Sequence, residues 1–253
     1  MKKDYRRIGD EKELIRKRIW DKMAEKGIAR FPLPPHGRIP NFRGAERCAE
    51  YLKSLKEWKE AEIVKINPDS PQRGVRLRAL KEGKTLLMPT PGIREGFLIL
   101  NPESIPGSKL WESVTIKGAF RFGKKLKTAD EISGIGRVDF IVEGSVAVNR
   151  HGQRLGKGEG YGDLEFGILL EIGVIDIDIP IATTVHPVQI VNENLPQNMY
   201  DVSLDYIIIP KGVLKAENRA RRPEGLLVEF LERKKVEEIS ILREIIIESS
   251  KEK

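Results

Sequence analysis

The chain has 253 residues, 40% hydrophobic and 33% charged, with a formal net charge of +7, so it can bury one large core beneath a densely charged surface. A single cysteine, Cys48, excludes an internal disulfide and a cysteine-rich metal site; the abundance of Lys, Glu and Ile is thermophile-like, and the whole fits a reducing, cytoplasmic setting. No apolar signal core opens the sequence, and the longest apolar region, 166–185, is broken by Glu171, Asp176 and Asp178, so neither secretion nor a membrane span is expected.

Residues 11–26 place Ile15, Ile19 and Met23 four apart with Leu14 alongside, which reads as an amphipathic helix with a basic outer face. FPLPPHGRIP reads as a proline-rich turn or linker on the surface. Asn41 is the expected cap of a second helix that buries Ala45, Cys48, Ala49, Leu52 and Leu55. AEIVKI reads as a strand, followed by a helix opened by Pro71 and stopped by Gly83, and then by the strand TLLMP. From Pro89 to Gly118 recurrent prolines and glycines suggest a long functional loop containing a short FLIL strand. VDFIVEG is a buried strand, and a helix is expected from about Asp163 to Glu171. IATTV and DYIII are further apolar runs. Strands that do not alternate, separated by helices, imply a mostly parallel sheet covered on both faces. The tail, LLVEF and then KKVEEISILREIIIESS, fits a strand plus a helix or a terminal hairpin. The chain reads as one α/β domain over 1–253, with 1–10 and 216–253 as peripheral extensions.

Charge is unevenly spread. Residues 1–30 hold eleven Lys or Arg against six Asp or Glu, whereas 158–210 hold nine acids and neither Lys nor Arg. A basic amino-terminal segment beside an acidic centre suits a polyanion held partly through a divalent cation. Solvated helix faces beside an acidic sheet edge would give the same pattern.

Between VDFIVEG and the following helix lies HGQRLGKGEGYGDLEF, with Gly156, Gly158, Gly160 and Gly162 at every second position. Glycines let a backbone bend sharply and bring its N–H groups close to a phosphate, and the next helix adds its positive end. Arg154 and Lys157 can neutralise phosphate oxygens, and Asp163 can hold Mg²⁺, an ion that takes only one or two protein carboxylates. Neither a Walker A string nor GxGxxG at the first strand-to-helix turn is present. The three histidines lack metal spacing: His36 lies in the proline turn, His151 in NRHG, and His186 ends a strand, where it is either a core residue or a site residue. Trp20, Trp58 and Trp111 read as core residues. Arg219–Arg222 read as a solvated loop. A nucleic-acid-binding reading rests on the basic first thirty residues and on KAENRARRPEG; it is disfavoured, because no recognition motif or interleaved aromatics accompany them, but stays open.

Three segments carry a family resemblance. VEGSVAVNRHGQRLGKGEGYGDLEFGIL resembles the signature region of the 5-formyltetrahydrofolate cyclo-ligase (methenyltetrahydrofolate synthetase) family, above all of its methenyltetrahydrofolate synthetase domain-containing branch. KELIR is similar to the family's amino-terminal lysine-x-x-leucine-arginine helix, and TTVHPVQIVNENLPQNMYDVSLDYIIIP to its carboxyl-terminal pattern. LLMPTPGIREGF also resembles the domain-containing branch, and the resemblance runs over about residues 11–215. It implies a three-layer α/β sandwich with a mostly parallel central sheet, of the phosphosugar isomerase and CoA-transferase type. The implied activity is ATP- and Mg²⁺-dependent closure of 5-formyltetrahydrofolate, or a related pterin, to the 5,10-methenyl form. It places Lys12, Arg16 and Arg154 on the ATP phosphates, Gly156, Gly158 and Gly160 in the phosphate loop, Tyr161 beside the nucleotide and Asp163 near Mg²⁺. Without it, Lys12 and Arg16 read as charges on a wet helix face beside Arg18 and Lys22. The sequence departs from the family pattern at Lys157, Glu159, Gly162 and Leu164, and the family's glycine-isoleucine-x-glutamate-proline element, which helps hold folate, has no match between Trp111 and Glu131. A nucleotide-binding relative without the cyclo-ligase reaction is the alternative. Oligomeric state is not legible.

Overall fold

The structure is a computed structural model that describes residues 2–251, with side chains described for 6–248. Its strands are β1 (Ile63–Ile66), β2 (Thr85–Pro89), β3 (Phe97–Leu100), β4 (Lys124–Leu126), β5 (Phe140–Glu143), β6 (Ala147–Asn149), β7 (Arg154–Leu155), β8 (Ile181–Thr184), β9 (Ile190–Val191), β10 (Tyr206–Ile209) and β11 (Gly212–Lys215). Eight of them form one sheet in the order β11-β10-β8-β5-β1-β2-β3-β4. The five central strands are parallel, while β11, β3 and β4 join by antiparallel pairings, so the sheet is mixed. β7-β6-β9 form a separate small sheet.

Side chains along each central strand alternate between two cores, which is why its apolar residues run on without a polar face. Val64, Ile66, Leu86, Met88, Phe140 and Val142 pack with the helices Lys2–Glu25, Ala45–Leu52 and Arg73–Lys81. Leu87, Ile141, Ile181 and Ile207 pack on the opposite face with the helices Ala129–Ser133, Tyr161–Glu171 and Ser240–Lys251. The tail helix Ser240–Lys251 contributes Ile241, Leu242 and Ile245 to that second core. No described helix is long and apolar enough to cross a membrane.

Several local expectations are corrected. Gly44, with φ 91°, stands at the start of Ala45–Leu52 in place of Asn41, whose amide instead donates to Phe31 O and whose Oδ1 accepts from Phe42 N–H. The segment 101–118 is not an open loop: Leu110–Ser113 and Ile116–Phe122 are helical, the latter capped by Thr115. LLVEF is not a strand but a 3-10 turn, Val228–Phe230, and the rest of the tail is helical because its apolar residues recur at helix spacing against the second core. Trp20 and Trp58 are buried as expected, whereas Trp111 is 56% exposed and covered on one face by the Arg73 guanidinium, 4.1 Å from the ring. Arg222 is not solvated: it is buried, pairs with Asp205 and donates to the carbonyls of Ser203, Ile177 and Ile179. His186 caps the turn Pro187–Gln189, accepting from Val188 N–H, and burial holds its pKa below the ordinary value.

Candidate active site

From β1 the chain proceeds outward to β2, β3 and β4, then returns to lay β5 on the other side of β1 and continues to β8 and β10. The sheet's switch point therefore lies between β1 and β5, where a crevice opens outside the strands' carboxyl ends. A cleft of about 590 Å³ occupies that position. Its walls come from Asn67 and Asp69 after β1, from Thr90 and Gly92 after β2, and from Glu143 and Gly144 at the end of β5. Arg76, buried, donates to the carbonyls of Asn67, Asp69 and Val114, which fixes the turn leaving β1. The proline-rich segment expected to be a linker lends Pro32, Arg38 and Ile39 to the cleft.

The glycine-rich stretch forms the remaining wall. Antiparallel pairing of Val148 with Arg154 makes a hairpin of β6 and β7, and this delivers Arg154 to the cleft before the chain enters the loop 156–160. Gly160 begins the helix Tyr161–Glu171 at φ 70°, a left-handed conformation that favours glycine, and no side chain caps that helix. Two positions on, a Cβ at Gly162 would lie 2.6 Å from Glu143 Oε2 and 2.8 Å from an Arg154 nitrogen, so a side chain there would displace both groups. The first helical turn thus meets the cleft with an uncapped start and a bare position at Gly162, flanked by the Tyr161 and Asp163 side chains.

Gly156, Lys157, Gly160, Tyr161, Asp163 and Arg154 share this one cleft. Arg154 is buried; it donates to Asp163 Oδ1 at 2.8 Å and to Gly144 O at 3.1 Å, and stands 4.0 Å from Glu143 Oε2. Burial opposes its charge, but Asp163, Glu143 and Asp201 hold its pKa above the ordinary value. Lys157 is partly exposed and pairs with Glu159 at 2.7 Å across Gly158. Asp163 Oδ1 also accepts from Val202 N–H at 2.9 Å. Lys12, Arg16 and Gly158 lie outside the lining. Lys12 and Arg16 are not on a wet face: Lys12 is buried against Asp201, and Arg16 donates from Nε to Gly156 O at 2.7 Å, supporting the glycine loop from its own side.

Beneath the cleft lies a charge cluster that the sequence reading misses. Lys65, fully buried on β1, is 2.5 Å from Glu143 Oε1 on β5 and 2.5 Å from Glu165 Oε2 on the loop helix, and donates to Asn67 Oδ1 at 2.9 Å. Glu143 Oε2 is buried without a hydrogen-bond partner and faces the cleft beside Gly162. A lysine inside an apolar strand covered on both faces is the signal that could have found the cluster, since such a charge must meet a buried carboxylate. Burial works against the Lys65 ammonium, but Glu143 and Glu165 hold its pKa above the ordinary value. Burial also raises Asp69, against Lys157 and Arg76.

Burial pushes Glu165 up to about 7 from an ordinary 4.5, against the pull of Lys65 and with the help of Glu143 and Asp69. A raised acid stabilises the fold fully below its unfolded pKa, and that contribution is lost as pH climbs through the folded value. The melting temperature is therefore expected to decline from about pH 4.5 to above pH 7, and Glu165→Gln to flatten the decline. Superimposable melting profiles for the two chains would contradict this.

The fold and cleft together define an α/β protein with a glycine-rich loop at a sheet switch point. A sequence profile of the 5-formyltetrahydrofolate cyclo-ligase family matches residues 8–210, and the chain belongs to that family. It is 37% identical over 225 residues to a methenyltetrahydrofolate synthase domain-containing protein of Bos taurus, covering 87% of this chain and 58% of the relative. The Homo sapiens protein of the same name is 35% identical over 245 residues, covering 95% of this chain and 62% of the relative. The chain thus spans about three fifths of the length of these curated relatives. The solved structure of a 5,10-methenyltetrahydrofolate synthetase from Aquifex aeolicus has the same fold, with a TM-score of 0.50 at 22% identity, covering 87% of this chain and 99% of that one.

Proposed function

We propose that the cleft binds Mg-ATP and 5-formyltetrahydrofolate, or a related pterin, and closes the ring to the 5,10-methenyl form. The formyl oxygen takes the γ-phosphoryl group and ADP leaves; N10 then attacks the activated carbon, loses its proton, and phosphate departs. The observation that carries this reading is the convergence of Arg154, Lys157 and an uncapped helix start at one cleft in a chain of this family. Phosphoryl transfer depends mainly on positioning and charge neutralisation, which these groups supply. Among the described residues no group of three or more acid, His or Cys side chains is arranged for a metal. Mg²⁺ bound to a nucleotide needs only one or two carboxylates, and Asp163 in the cleft fits that demand. The ion would neutralise charge on the phosphates. The finer fold assignment, to the phosphosugar isomerase and CoA-transferase type, belongs to the same proposal.

One observation favours a second reading, a nucleotide-binding relative without ring closure. The stretch from Trp111 to Glu131, where the family's folate element would fall, is folded into short helices and a strand, and only Ile116 of it lines the cleft. The nucleic-acid reading loses part of its support, because Arg219, Arg221 and Arg222 are each paired with an acid.

Both nucleotide readings require Mg-ATP to stabilise the folded chain. At a hundredfold excess over Kd the gain is about 2.7 kcal/mol. For a chain of this size each kcal/mol raises the melting temperature by about 2–4 °C. A thermal scan with Mg-ATP is expected to show that rise; no rise with Mg-ATP, but one with an oligonucleotide at physiological salt, would replace the nucleotide readings with the nucleic-acid one.

A further inference from the structure

The glycine loop also borders a second, smaller cavity of about 140 Å³, which shares Glu159, Gly160 and Asp163 with the main cleft. One wall is Leu164 and Gly167 of the loop helix; the other is Leu226, Leu227 and Phe230 of the tail, with Tyr200 alongside. The tail lies outside the stretch 8–210 that the family profile matches. It sits close: a Cβ at Gly167 would come within 3.2 Å of Leu226 Cδ1, and the Tyr200 and Phe230 rings are 5.7 Å apart between centroids. Lys235, also from the tail, donates to Glu159 O at 2.8 Å and holds its ammonium 5.4 Å from the Tyr161 ring centre. A Cβ at Gly160 would stand 3.6 Å from the same ammonium.

An aromatic-walled cavity thus adjoins a cation and a loop built to accept an anion. The cavity is too small for a drug-sized ligand, which takes roughly 300–1,000 Å³, but suits one fused heteroaromatic ring. A ligand that satisfies both parts is a flat ring carrying phosphates.

We propose that the tail-walled cavity takes the purine base of the nucleotide whose phosphates lie along the glycine loop, and that Lys235 contacts those phosphates from the tail. This rests on the nucleotide reading above and adds a binding element from outside the family's matched region. Stacking a base on an aromatic side chain strengthens binding on the order of tenfold, whereas a phosphate cation acts on any polyphosphate.

The test is calorimetric titration of the full chain with Mg-ATP and with Mg-tripolyphosphate, which lacks a base. The native chain is expected to bind ATP about tenfold more tightly than tripolyphosphate. Phe230→Ala should lose about tenfold on ATP with little change on tripolyphosphate, and Lys235→Met should weaken both alike. Leu227→Trp, which fills the cavity without removing a wall, should reproduce the selective loss, and melting curves establish that each variant is folded. Unchanged ATP affinity in both cavity variants, or an equal loss on the two ligands, would overturn the base site while leaving the nucleotide reading intact. Failure of the native chain to bind either ligand would remove the nucleotide reading and the base site with it.

Discussion

A Lys65→Met chain is expected to lose about 3–5 kcal/mol of stability near neutral pH, because two buried carboxylates then lose the cation 2.5 Å from each, with Arg154 no nearer than 4.0 Å to Glu143. Lys65 is fully buried and meets Glu143 and Glu165 at 2.5 Å each, so its removal leaves both facing low-dielectric surroundings. Protonation relieves such a carboxylate. The deficit should therefore shrink toward about pH 5 and grow toward about pH 8, the direction set by acids whose folded pKa lies above the unfolded one. Adding Glu143→Gln and Glu165→Gln to Lys65→Met removes the stranded charges and should recover much of the loss. Chemical unfolding of the native chain, Lys65→Met and the triple variant at two pH values checks this. A Lys65→Met deficit under about 1 kcal/mol at both would show that water or relaxation screens the cluster.

Arg154→Ala is expected to weaken both the fold and the site. On the sequence alone this change removes one bidentate phosphate contact and leaves the fold intact. The structure alters that expectation, because Arg154 is buried between Asp163, Glu143 and the Gly144 carbonyl. Its loss leaves Asp163 without its cation, while Glu143 keeps Lys65, a cost of about 3 kcal/mol. Mg-ATP binding should fall below detection, since the loop helix loses the ion pair that anchors its first turn. Arg154→Lys keeps the charge without the fork, and is expected to recover stability more than nucleotide affinity. Unfolding and calorimetric titration are read together. An Arg154→Ala chain with native stability and native Mg-ATP affinity would place Arg154 outside both roles.

Most of the elements are legible in the sequence because burial on both faces of a sheet leaves apolar runs such as LLMP, FLIL and FIV. What is not legible depends on pairing across long separations. Asn41 has the chemistry of a helix cap, but its side chain is taken by Phe31 and Phe42, and the chain turns at Gly44 instead. Trp111 has the composition of a core residue, yet sits at a helix start, exposed, with one ring face against Arg73. In the cleft, the glycines and Arg154 announce themselves by local spacing, whereas the Lys65, Glu143 and Glu165 cluster joins residues from two strands and a helix. Arg222 escapes notice for the same reason: its partner Asp205 and its carbonyl acceptors come from elsewhere in the chain. The family resemblance supplies Lys12 and Arg16 as residues of interest, and the structure adds that Arg16 reaches the loop at the Gly156 carbonyl while Lys12 is buried against Asp201.

The most direct test of the account is a turnover assay. Folded native chain, incubated with 5-formyltetrahydrofolate, ATP and Mg²⁺, is expected to form the methenyl product with one ADP and one phosphate released for each ring closed. Omission of Mg²⁺ or ATP should abolish product, and Asp163→Asn should depress turnover beyond what the loss of its Arg154 pair costs in stability. Stoichiometric, nucleotide-dependent product is the result the account predicts; a native chain that binds Mg-ATP under these conditions yet forms no methenyl product would contradict it.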